Sequence, residues 1–180
     1  MISEVDKCKI QIMNSHIHCE VINPGIQSIP NNREPVEPKE ILFVGAMDWK
    51  PNEDAVLWFE RKVLPIIRKI FKNIRFVIVG SNPSLKVKSL SRDQDIRING
   101  FCMDLAKYYK RASVVAVPLM YGSGVKIKVI EAMLMKIPIV SSPVGVEGVK
   151  CTDRKHLLVA ENELEFAKSI INLLSNPIYA

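Results

Sequence analysis

Two hydrophobic patterns alternate along the chain. Short continuous apolar runs occupy positions 41–44, 76–79, 114–117, 137–140 and 157–159, with a looser one at 96–98. Such runs suit strands buried on both faces. Gly45, Gly80 and Gly100 close the first three. Between the runs the period changes to three and four. Val56, Phe59, Val63, Ile66, Ile67 and Ile70 predict one helix, with Asn52 as its N-cap and Glu53 and Asp54 in its first turn. Pro65 should kink or divide it, because proline cannot donate the helical hydrogen bond. A short helix is predicted over 84–90, another over Leu105, Tyr108, Tyr109 and Ala112 capped by Asp104, and a last one over 163–174.

Six strands alternating with helices imply right-handed crossovers and a doubly wound, parallel six-stranded α/β sheet, a Rossmann-like arrangement with helices on both faces. Ligands of such sheets bind beyond the carboxyl ends of the strands. The loops after Gly45, Gly80, Gly100, Pro118 and Ser141 should therefore share one rim. The opening residues alternate only loosely between apolar and polar and read as an edge piece. Pro24, Gly25, Pro30, Asn31, Asn32, Pro35 and Pro38 then mark a linker, which divides the chain into 1–26, a linker at 27–40 and a domain at 41–180.

On the predicted rim, positions 122–132 concentrate glycines, cations and an acid. Gly122 and Gly124 flank Ser123 and permit a tight turn that exposes N–H groups at a helix start, where an anion is favoured. If the helix runs on from Gly124, Lys128 and Glu131 share a face and can converge on a nucleotide diphosphate and its ribose. The plainer alternative is a glycine turn before an amphipathic helix with solvated lysines. Lys50, in the first rim loop, is either a solvated lysine or a second cation reaching that turn. Phe101 and Cys102 can border a flat ligand, or Phe101 can pack in the core. Glu131 can accept two ribose hydroxyls, or pair with a lysine on its own helix.

Composition narrows the classes. The 180 residues carry a formal charge of +6 without any block of like charges, which argues against nucleic acid and leaves anionic substrates or an anionic membrane surface as partners. No apolar run is long enough to span a bilayer, and no basic-then-apolar leader opens the chain, so a cytoplasmic domain is expected. The four cysteines are irregularly spaced and expected to be reduced. His16, His18 and Cys19 lie close together but lack a second pair of ligands, so no metal site is expected. Dinucleotide-binding, P-loop and nucleophile-elbow motifs are all missing. Gly45 and Gly100 stand where a phosphoryl-receiver domain needs acids.

The ordered set Phe43-Val44-Gly45, Trp49-Lys50-Pro51-Asn52, 76–80, Asn99-Gly100-Phe101, Val117-Pro118-Leu119, 122–133 and Pro138-Ile139-Val140-Ser141 resembles the C-terminal, donor-binding half of GT-B retaining glycosyltransferases of the group 1 family. The likeness extends over about 41–174 and includes the pattern Gly-x-Gly-x-x-x-Lys-x-x-Glu-Ala. It implies that Lys50 and Lys128 grip the diphosphate, that the backbone of Ser123, Gly124, Val125 and Lys126 forms the phosphate-binding helix start, that Glu131 holds the ribose, and that Phe101 and Cys102 border the base. Where the wider family has a Glu eight residues before the ribose acid, this chain has Ser123. The resemblance further implies a UDP- or GDP-linked sugar as substrate, no metal or other cofactor, and a role in cell-surface polysaccharide or glycolipid synthesis, with a parent protein that is cytoplasmic or peripheral at the inner face of the membrane. Residues 1–26 resemble the tail of a preceding acceptor domain that holds the catalytic residues, so the chain alone is expected to bind donor without turning it over. A nucleotide-sugar 2-epimerase half and a non-catalytic nucleotide-binding or interaction module are the alternatives.

Overall fold

The computed structural model describes residues 4–22 and 39–176. Six strands form one sheet: β1 (Lys39–Val44), β2 (Ile74–Val79), β3 (Ile96–Asn99), β4 (Val114–Val117), β5 (Ile139–Ser141) and β6 (Leu158–Val159). All neighbours are parallel, in the order β3-β2-β1-β4-β5-β6. The chain starts at the centre, winds outward to β3, crosses back beside β1 and winds outward again. Right-handed crossovers put connections running in opposite directions on opposite faces. The expected doubly wound sheet is the observed one, and the crevice where the winding reverses lies between β1 and β4.

The continuous apolar runs have the burial they predict. Residues 41–44 and 114–117 are all buried, and Ile41 and Leu42 pair in register with Val114 and Val115. Strand β3 is the edge, and its Arg97 is exposed while Ile96 is buried. At the end of the sheet away from the rim, the buried Glu40 carboxylate accepts hydrogen bonds from Arg75 at 3.1 Å and Arg111 at 3.2 Å, which joins β1 to β2 and the helix before β4.

The first crossover departs from the sequence reading at its start. Its helix, α2 in the numbering that counts the N-terminal helix α1 (Glu4–Met13), spans Lys50–Trp58 and begins earlier than predicted. Trp49 is its N-cap, and Asn52 lies inside the first turn, buried. Pro65 divides the helix rather than kinking it. A π-helical turn, Phe59–Val63, precedes it, the Leu64 N–H reaches back to the Phe59 carbonyl, and α3 (Leu64–Ile70) continues. Widening the turn before the proline relieves the clash its ring would have with the preceding carbonyl.

Ser84 caps α4 (Leu85–Ser89), accepting from Val87 N–H at 3.3 Å. Asp104 accepts from Ala106 N–H at 3.1 Å ahead of α5 (Ala106–Arg111), although the cap position itself is Leu105. Helix α6 is Ile127–Leu134, and α7 is Glu163–Ser175, capped by Asn162, which accepts from Glu165 N–H at 3.0 Å. Phe166 of α7 meets Trp58 and Phe59 edge-on, at 6.0 Å between ring centroids in each case, and Phe59 packs on Phe76 of β2 at 4.6 Å. One aromatic cluster therefore joins α7, the divided helix and the sheet.

The N-terminal segment is helical, not the edge piece its loose alternation suggested, and Lys9 of α1 pairs with Glu147 at 3.8 Å. The expected linker lies mostly outside the described residues; its last two positions, Lys39 and Glu40, already belong to β1. His16 and His18 are exposed and Cys19 is buried. Among the described residues no cluster of His, Cys, Asp and Glu could hold a metal ion, and no helix is long and apolar enough to cross a membrane.

Candidate functional site

The rim above the β1–β4 crevice is closely packed backbone against backbone. Gly45 N–H donates to the Val79 carbonyl at 2.9 Å, and a Cβ on Gly80 would collide with the Gly45 carbonyl. Trp49 and Pro51 lie against Gly122, where a Cβ would stand 2.7 Å from the indole ring. Gly122 (φ +118°) and Gly124 (φ +82°) both occupy the left-handed region that a side chain disfavours. Packing and conformation thus both demand glycine at 122.

The turn differs from a simple helix start. Lys126 is an extended N-cap, and α6 begins at Ile127, so Ser123, Gly124 and Val125 form a loop ahead of the helix. The Lys126 side chain is buried and folds back into that loop, donating to the Gly124 carbonyl at 2.6 Å and to the Gly122 carbonyl at 3.3 Å. Burial holds its pKa below the ordinary lysine range, against the opposing pull of Glu147 and Asp6. In a trans peptide the N–H points opposite to the C=O. With the two glycine carbonyls turned toward Lys126, the N–H groups of Ser123 and Val125 point away from it. Among the described residues neither donates a hydrogen bond. Alternating backbone orientation with unpaired N–H groups is the geometry of an anion-binding nest.

Lys128 sits beside this loop. Its amine donates to Asn52 Oδ1 at 2.7 Å, lies 4.2 Å from the centroid of the Phe43 ring, and would be 2.8 Å from a Cβ on Gly45. Asn52 is fixed in turn, because its Nδ2 donates to the Ala46 carbonyl at 2.8 Å. Burial, followed by the nearby Lys126 charge and partly offset by Glu131, lowers the Lys128 pKa to about 7. Asn52 of α2 and the Phe43 ring of β1 therefore hold a cation carried by α6.

Lys50 is oriented differently. Its amine pairs with Glu53 and Asp54 on its own helix, each at 2.8 Å, and hydrogen bonds to Asp54 first and Glu53 second raise its pKa above the lysine range. Asp54 also accepts from the Tyr121 hydroxyl at 2.6 Å, and Glu53 from Ser84 at 2.5 Å. Lys50 thus reaches the glycine turn only through Asp54 and Tyr121.

Glu131 lies one turn along α6 from Lys128, and its carboxylate accepts from the Tyr109 hydroxyl at 2.8 Å. It makes no ion pair with a lysine of its own helix. Phe101 is 77% exposed, which removes the core-packing alternative, and Cys102 is half-buried with its thiol 3.1 Å from the Asp104 carbonyl. Both follow β3, three strand spacings from β4, or about 14 Å. The structure therefore groups Ser123, Gly124, Val125, Lys126 and Lys128 at the crevice, with Glu131 beside them and Phe101 and Cys102 at the far end of the rim.

Three participants escaped the sequence reading. Asn52 was assigned to capping, and Tyr109 to an apolar helix face. Trp49 entered only within a motif. The partners of Asn52 and Tyr109 are 76 and 22 positions distant, beyond any local periodicity.

A doubly wound parallel domain with its glycine turn at the topological switch point defines a class, the Rossmann-like α/β domains. Comparison with known proteins gives the family. Residues 38–176 match the family model "Glycosyl transferases group 1", and the chain belongs to that family. A relative from Klebsiella pneumoniae, described as an uncharacterized 44.6 kDa protein in the cps region, is 30% identical over 145 residues, covering 76% of this chain and 37% of its own. The crystal structure of TarM superposes with a TM-score of 0.81 at 19% identity, over 99% of this chain and 36% of that one. The pneumococcal O-GlcNAc transferase GtfA, crystallised with UDP and GlcNAc, gives 0.72 at 14% identity over 98% and 38%. The fold is that of one half of GT-B glycosyltransferases, and the chain spans little more than a third of the length of these three relatives.

Proposed function

We propose that this domain binds the nucleotide-sugar donor of a retaining group 1 glycosyltransferase. The observation that carries the reading is the nest, in which two unpaired N–H groups are turned outward by Lys126 beside the enclosed Lys128 amine. That arrangement complements a diphosphate, whose charge develops further as the sugar departs. Glu131 supplies the acceptor a ribose needs, and Phe101 with Cys102 borders the base about 14 Å away, a span comparable to a nucleoside diphosphate. The complex of GtfA with UDP supports the choice of a nucleotide.

On this reading Ser123 N–H, Val125 N–H and Lys128 hold the diphosphate directly. Lys126 shapes the loop, and Lys50 contributes through the Asp54–Tyr121 link. The sugar acceptor and its catalytic groups belong to a further domain, in keeping with the share of the relatives that this chain covers. Glycosyl transfer by these 180 residues alone is therefore not expected. The cps-region relative favours surface polysaccharide as the product class.

Isothermal titration calorimetry with UDP, GDP and their sugars tests the proposal. One of the two diphosphates should bind, and Lys128→Ala should weaken it about 10- to 100-fold, the worth of a charge-assisted hydrogen bond. No binding of either at millimolar concentration would overturn it.

A further inference from the structure

The Tyr109–Glu131 pair joins two regions that sequence keeps apart. Tyr109 is wholly buried at the end of α5, the helix that follows the Phe101–Cys102 loop, whereas Glu131 sits on α6 beside the nest. A buried phenol must find an acceptor, and the hydroxyl has the Glu131 carboxylate, at 2.8 Å. From the other side, Tyr109 is the one side chain among the described residues that hydrogen-bonds this carboxylate. Burial and the adjacent negative charge raise the phenol pKa well above its ordinary value, so the tyrosine stays the donor.

A glutamate has three rotatable bonds, and a solvated one samples many carboxylate orientations. Fixing one oxygen against a rigid ring removes that freedom and, among the described residues, leaves the other oxygen without a side-chain hydrogen bond. Resting on the donor-binding reading, we propose that Tyr109 is a positioning residue that holds the Glu131 carboxylate toward the two ribose hydroxyls and so makes the site selective for ribonucleotides over 2′-deoxyribonucleotides. A fixed acceptor left without its hydroxyl is an unpaired polar group, and a site of that kind rejects the ligand lacking the group. A mobile carboxylate turns to water instead and discriminates little. Tyr109 would thus act on specificity without touching ligand.

The test compares UDP with dUDP, and GDP with dGDP, by calorimetry on the full chain. Wild type should prefer the ribonucleotide by about tenfold or more. Tyr109→Phe removes one oxygen, and it should lower that preference to about a third or less of wild type, in part by raising affinity for the deoxynucleotide. Glu131→Asp keeps the charge but withdraws it from the hydroxyl, and should behave likewise. In the Glu131→Ala background the Tyr109→Phe change should have no further effect on the ratio, because the tyrosine acts through the acid. An unchanged preference in folded Tyr109→Phe, or a full preference in Glu131→Asp, would overturn the inference and make the pair a means of satisfying a buried hydroxyl. Failure of wild type to bind any of the four would instead remove the donor-binding reading and this inference with it.

Discussion

Lys128 shows what a single enclosed amine does to ligand binding. With its pKa lowered to about 7 by burial, much of it is neutral in the free protein at mildly alkaline pH. A bound diphosphate restores the charge by raising that pKa, so between the two values binding takes up a proton. Affinity for the diphosphate should fall as pH rises from 7 to 9, and calorimetry at pH 8 in buffers of different ionisation enthalpy should show uptake approaching one proton. Lys128→Met should bind more weakly and lose both effects. The same depression has a sign for stability. Above pH 7 and below the ordinary lysine pKa of 10.5 the unfolded chain binds the extra proton, so this group's contribution to stability rises with pH across that window. A denaturant midpoint measured across the window in wild type and Lys128→Met isolates it.

At the level of elements, the glycine turn before α6 is the most constrained piece of the rim. Gly122→Ala adds a Cβ against the Trp49 ring at a φ of +118°, so loop strain and a displaced indole coincide. About 1–3 kcal/mol of stability should be lost, read as a lower thermal midpoint, and nucleotide binding should weaken in the same variant. Gly124→Ala meets no neighbour and carries only the backbone cost at φ +82°, so it should be milder in stability. These local demands were only partly legible in the sequence. Strand positions, their parallel pairing and the existence of α6 followed from apolar runs and turn residues, because burial on both faces leaves little freedom in composition. Helix starts did not. Asn52 has the chemistry of a cap, yet its side chain meets Lys128 and the Ala46 carbonyl instead, and this tertiary pairing displaces the cap to Trp49. Nor does local spacing show that the Lys126 side chain folds back onto its own loop carbonyls, since the sequence places only its backbone at the phosphate-binding helix start. Tyr109 at a helix-spaced apolar position gave no sign that its hydroxyl had a partner on another helix.

For the whole molecule, the Glu40 triad at the base of the sheet balances the site at its rim. Two guanidinium groups from β2 and α5 share one buried carboxylate of β1. Removing that carboxylate leaves Arg75, whose Nε is buried without a partner among the described residues, facing another cation. Glu40→Ala should cost about 3–5 kcal/mol, measured by chemical denaturation, with the nucleotide affinity of the folded fraction unchanged. A variant that lost affinity while keeping stability would show that the two ends of the sheet communicate.

The reversal of winding at β1 and β4 has a temporal consequence. Neighbours in space there are Ile41 and Val114, so the crevice does not exist until more than seventy positions of intervening chain have been laid down and the second half has docked. Without the second half, the β1 edge that meets β4 would be left unpaired. On the proposed reading, a diphosphate at the nest would span this seam, because Lys128 of α6 in the later half is held by Asn52 of α2 in the earlier one. Such a ligand would fasten the two halves like a clasp, and it should protect the crossover at 100–113 from proteolysis in proportion to its occupancy.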